Sequence, residues 1–118
     1  MAKAKEAEEK VNPILVKDES GNVKYTLEFS RDSVKWAERR GFKITEVADY
    51  PMTGIPQLFF YAFRMHHKGI TQEMTDSILD EIGATPALME RLTALYSATM
   101  ETLIGENEVK NGKWAVEF

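Results

Sequence analysis

At 118 residues, with 43% hydrophobic and 29% charged side chains, the chain has the size and make-up of one soluble globular domain able to bury a core without disulfides or metals. It contains no cysteine, and its two histidines, His66 and His67, are adjacent, so the usual material for thiol, triad or metal chemistry is missing. Net charge is −4, unevenly divided: residues 1–68 carry 12 basic and 10 acidic groups, residues 69–118 carry 3 and 9, which argues against a nucleic-acid grip by the second half.

Met1–Lys10 is charged and Ala-rich with no apolar run behind it, so it reads as a solvated leader and not as a signal peptide. From Pro13 the pattern becomes β. Ile14-Leu15-Val16-Lys17 precedes the turn cluster Asp18-Glu19-Ser20-Gly21-Asn22. Val23, Tyr25, Leu27 and Phe29 then alternate with Lys24, Thr26 and Glu28, which places four apolar side chains on one face. A lone hairpin is marginal in water, so that face must cover helices.

Ser30 has the properties of an N-cap for a helix over Arg31–Arg40, with Asp32 at its positive end and Phe29 placed to staple onto Val34. Gly41 stops it, and Phe42 sits where a C-terminal hydrophobic contact belongs. Phe42–Tyr50 suits either a short strand or an ordered loop. A second helix is expected from near Thr53, with Pro56 in its first turn, to a point before Gly69. Its body, Ile55–Met65, is apolar nearly all round yet too short to span a bilayer. Such a helix is central to a core or shows a second face to a partner.

Thr71 caps a third helix, Gln72–Ile82, closed by Gly83, with Met74, Ile78, Leu79 and Ile82 as its apolar stripe. Thr85 caps a fourth, opened by Pro86 and ended by Gly105, with Leu88, Leu92, Leu95, Tyr96, Thr99 and Leu103 at helical spacing. Only Glu90, Arg91 and Glu101 are charged between Pro86 and Ile104, few for a surface helix of that length. After the turn signal Asn111-Gly112, Trp114, Val116 and Phe118 alternate with Lys113, Ala115 and Glu117. This one-sided aromatic strand would add to the hairpin or pair with another chain.

The candidate chemical sites are weak. Adjacent histidines on a helix point about 100° apart, which does not make a shared metal site, so His66-His67 reads as a helix-end pair. Asp76, Asp80 and Glu81 have no accompanying nucleophile or oxyanion donors and read as a solvated helix face. Residues 71–104 have the outline of a helix-turn-helix, with a Gly in the turn and Thr-Pro opening the second helix. That second helix begins Ala87-Leu88-Met89-Glu90 with Arg91 as its sole cation, and the first brings only carboxylates, so phosphate contacts would be opposed. The excess of apolar helix surface and the methionines Met52, Met65, Met74, Met89 and Met100 fit protein partners better.

The order of these elements is itself distinctive. Tyr25-Thr-Leu-Glu-Phe29-Ser-Arg-Asp-Ser-Val34, the helix closing on Arg40-Gly41-Phe42, the aromatic run Leu58-Phe-Phe-Tyr-Ala-Phe63-Arg-Met-His-His67 and Ile70-Thr-Gln-Glu-Met-Thr-Asp-Ser-Ile-Leu79 follow one another. Over residues 13–104 the chain resembles the small tail assembly chaperones of long-tailed, siphovirus-type bacteriophages and prophages of Gram-positive hosts. The resemblance implies a non-enzymatic role in the host cytoplasm, with the tape measure protein and the tail tube protein as partners, and absence from the mature virion. It also implies a longer form made by ribosomal frameshifting, with which Gly112-Lys113 is compatible.

Together these readings predict a mainly helical α+β fold. Residues 1–12 form a disordered leader, 13–105 a single globular domain with a four-helix core and a small N-terminal β-hairpin, and 106–118 a tail or added strand. No catalytic residue, metal site or cofactor is expected, and no membrane partner. The expected partner contacts are Phe60, Phe63, Trp114, Val116 and Phe118, with self-association through the C-terminal strand. The alternative is a small helix-turn-helix DNA-binding regulator using residues 71–104.

Overall fold

The structure, a computed structural model, describes residues 11–104 and residue 117. Among them are a two-stranded antiparallel hairpin, β1 (Ile14–Lys17) and β2 (Val23–Leu27), and four α-helices: α1 (Arg31–Arg39), α2 (Pro51–Phe63), α3 (Gln72–Ile82) and α4 (Pro86–Ile104). This is the mainly helical α+β architecture the sequence predicts. The expected strand at Trp114, Val116 and Phe118 lies outside the described residues. At the other end, Val11 is half-buried against the core and the Asn12 carbonyl accepts from Arg91, so the domain includes two residues assigned above to the leader.

The hairpin pairs Ile14 with Leu27, Leu15 with Thr26 and Val16 with Tyr25, then slips so that Lys17 opposes Val23. Asp18 organises the turn: its carboxylate accepts the amides of Ser20 and Asn22 at 2.9 and 3.0 Å. Of the four residues expected on one buried face, Leu27 and Phe29 are buried and Tyr25 is half-buried, but Val23 is 49% exposed. Val23 sits beyond the register slip at the turn end of the hairpin, where its pairing no longer follows the alternation set by the strand.

Helix α1 is closed at both ends by its own residues. Ser30 and Ser33 form a reciprocal capping box, each hydroxyl accepting the other's amide. At the far end the Phe42 amide donates to Ala37 O and the Gly41 amide to Glu38 O, the paired bonds of a Schellman motif, with Gly41 at φ +97°. Phe42 then turns into the core, 5.1 Å from the ring of Tyr61 and 6.0 Å from that of Tyr96. The ambiguous stretch that follows is a 3₁₀ turn, Ile44–Glu46, and not a strand.

Helix α2 begins earlier than the expected start near Thr53, and it ends before Gly69 as expected. It starts at Pro51, where a missing amide costs nothing, and carries Pro56 in its interior. The bond that Pro56 cannot donate would have gone to Met52, in the first turn, beside a side chain 89% exposed. Regular helix ends at Phe63, and residues 64–70 descend through turns, with the His67 amide reaching Phe63 O at 2.8 Å. Leu58 to Phe63 are all buried in succession, since α2 packs against β2, α1, α3, α4 and the 3₁₀ turn. The all-round apolarity thus belongs to a central helix.

Helix α3 has the expected caps, Thr71 accepting from Met74 N and Gly83 ending it, but a different buried line. Thr75 and Leu79 face inward while Met74 and Ile82 are 48% and 45% exposed. The cause is that α3 packs chiefly on α2 alone, which covers a narrow stripe. The Thr75 hydroxyl is satisfied by Gln72 O at 3.0 Å. In α4, Leu92, Leu95 and Tyr96 are buried as its spacing predicts, and Thr85 caps it through Leu88 N.

Candidate partner-binding surfaces

The five residues expected to meet a partner divide in two. Trp114, Val116 and Phe118 lie outside the described residues. Phe63 is completely buried, 5.3 Å from the ring of Tyr25 and 5.1 Å from that of Phe59, and Phe60 is 8% exposed. Both belong to the core, because α2 is surrounded on every side. Their surface is taken up by this chain's own residues, which removes them from the contact set.

His66 and His67 act in the fold. His67 Nε2 accepts the Thr26 amide at 3.0 Å, and its ring lies edge-on to Tyr25 at 5.1 Å. Burial, with a smaller contribution from neighbouring His66, holds the His67 pKa below its ordinary value, so the neutral acceptor form is favoured. His66 Nε2 meets Glu28 Oε1 at 2.8 Å. The Glu28 amide also donates to Ala62 O at 3.0 Å. One imidazole and one helix carbonyl therefore satisfy the amides of Thr26 and Glu28 and tie the hairpin to the end of α2. Nothing local in the sequence marks this pairing, since its partners are 41 residues apart.

The helix-turn-helix outline is present as two capped helices, but α3 packs on α2, and α4 on α1 and α2. Arg91, the sole cation near the start of α4, donates to Asn12 O at 3.3 Å.

The surface best suited to a protein partner is the outer side of α4. Pro86, Met89, Thr93 and Ala94 line a shallow hollow of about 550 Å³ with Glu90 as its one charge. Elsewhere Tyr50, the N-cap of α2, is 64% exposed, and Met52 in its first turn is 89% exposed. Scattered apolar side chains are normal on a surface, but a hollow lined by five residues with a single charge is depleted in the way interface centres are.

Over residues 1–118 the sequence matches a family described as a domain of unknown function, DUF5055. The chain belongs to the DUF5055 family. No curated protein and no solved structure matches it. None of the helices of this DUF5055 chain is long and apolar enough, among the described residues, to cross a membrane.

Proposed function

We propose that the protein is a non-enzymatic tail assembly chaperone of a long-tailed bacteriophage or prophage, binding the tape measure protein and assisting addition of tail tube subunits. It acts in the cytoplasm of the bacterial host and is left out of the mature virion. The order of hairpin, aromatic helix and capped helices, which resembles those chaperones, suggests the reading. The observation that carries it is the outer face of α4, where Pro86, Met89, Thr93 and Ala94 surround a hollow bearing one charge. Desolvating such a face costs little, and contact with an apolar segment of a partner returns about 25 cal/mol per Å² buried. The acidic balance of residues 69–118 keeps a complex with an aggregation-prone partner soluble.

Co-expression with the tape measure protein from the same locus, followed by size-exclusion chromatography with light scattering, tests this. A soluble complex holding several copies of this chain per long partner is the expected result. An insoluble tape measure protein with this chain eluting alone would overturn it.

A further inference from the structure

Apart from the α4 hollow, α1 and the turn after α2 line a groove of about 400 Å³. Lys35 and Arg39 from α1, and Arg64 and Lys68 from the turn, bring four cations to it against one carboxylate, Asp32, with Trp36 among the lining residues. We propose that this groove binds an extended, carboxylate-rich peptide segment of a protein partner. The kind of partner rests on the protein-binding reading above; the chemistry rests on the groove.

Three observations converge. The first is charge. In a chain of net charge −4 these four cations are gathered at one place, and the only side-chain ion pair among the described residues is His66–Glu28. None of the four forms an ion pair with a described carboxylate, Asp32 included.

The second is preorganisation. The Arg64 guanidinium lies 4.0 Å from the centroid of the Trp36 ring, and its Nη1 donates to Lys68 O at 3.4 Å. The Arg40 guanidinium lies 4.6 Å from the same centroid. Trp36 is anchored in turn against Tyr61 at 5.6 Å and Phe60 at 6.1 Å, both buried in α2. A guanidinium fixed on an indole loses little further freedom when it grips a carboxylate, and its fork of five donors exceeds the one used on Lys68.

The third is extent. A nucleic acid needs cations spaced along a path of phosphates, whereas these are confined to one hollow. The following helix, α3, carries Glu73, Asp76, Asp80 and Glu81 and no cation. A short acidic peptide needs only the hollow.

The test uses the full chain carrying Trp114→Phe, which leaves Trp36 as its single indole. An acetylated oligoglutamate peptide is titrated at low salt while Trp36 fluorescence is read, with an equally charged single-stranded oligonucleotide and inorganic phosphate in parallel. The expected result is saturable peptide binding, weakened by salt and reduced about tenfold or more in both Arg64→Gln and Lys68→Gln. Lys24→Gln, on the hairpin, leaves it unchanged, and circular dichroism confirms that each variant is folded. Lys68→Gln keeps the test decisive if Arg64→Gln disturbs the Trp36 packing. Absence of peptide binding, indifference to the groove variants, or equal or tighter binding of the oligonucleotide or phosphate would each overturn the proposal. A co-expressed tape measure complex without peptide binding sinks the groove proposal alone; peptide binding without that complex sinks the chaperone reading alone.

Discussion

His67 Nε2 accepts the main-chain N–H of Thr26 at 3.0 Å, so one imidazole substitutes for a neighbouring strand along the outer edge of β2. Protonation removes that acceptor, because an imidazolium has two donors and none. The folded-state pKa of His67 is lowered from the ordinary 6.5, chiefly by burial. As pH falls, the unfolded chain takes up the proton first. The contribution of His67 is therefore complete above about 6.5 and is lost as pH drops through its lower folded value. Urea midpoints should decline between about pH 7.5 and pH 5, with faster exchange at the Thr26 amide. His67→Phe should cost about 1–2 kcal/mol at neutral pH and flatten the acid limb. An unchanged acid limb in His67→Phe would show that the clamp does not titrate.

Gly54 is a close-approach site. A Cβ there would lie 2.8 Å from Val47 Cα, a main-chain atom of the segment after the 3₁₀ turn. Alanine favours helix by about 1 kcal/mol, yet Gly54→Ala should destabilise by about 1–3 kcal/mol because backbone must move. Chemical denaturation measures this, and a stabilised variant would contradict the packing described.

Gly41 ends α1 at φ +97°. Gly41→Ala should cost about 1 kcal/mol, and Gly41→Asn less, since asparagine tolerates left-handed backbone. Thermal unfolding of the pair gives the ranking. Equal losses would mean that the Schellman closure relaxes.

Phe63 separates a core role from a partner role. Phe63→Ala should lower the stability of the isolated protein by about 3–5 kcal/mol, as expected for a buried aromatic side chain. A variant that stays as stable as the parent but loses its partner would restore the contact role.

The α4 face is the converse case. Thr93→Arg with Ser97→Arg places charge on exposed positions of that helix. Stability should stay within about 0.5 kcal/mol per site while the co-expressed complex is lost. Retention of the complex would move the partner site elsewhere.

How much of this was legible beforehand follows the range of each interaction. Helix α1, from Ser30 to Gly41, both ends of α3 and the start of α4 could be read off the chain, because a cap bonds to amides or carbonyls only a few residues away. The hairpin was readable from period-two alternation around an Asp-led turn. The start of α2 was not, since its run of apolar residues has no cap of its own, and packing against five other elements decides where it begins. The two i, i+4 cation pairs, Lys35 with Arg39 and Arg64 with Lys68, are visible in the sequence separately. Nothing local says that they face one groove.

By itself, then, the sequence determined the elements, their order and the mainly helical class, since capping, turn chemistry and periodicity act within a few residues. Tertiary structure alone decided that Phe60 and Phe63 are core, that His67 serves Thr26, and that Arg64 comes to rest on Trp36. Those outcomes depend on which surfaces of α2 its neighbours cover, and that competition for burial is settled across the whole domain at once.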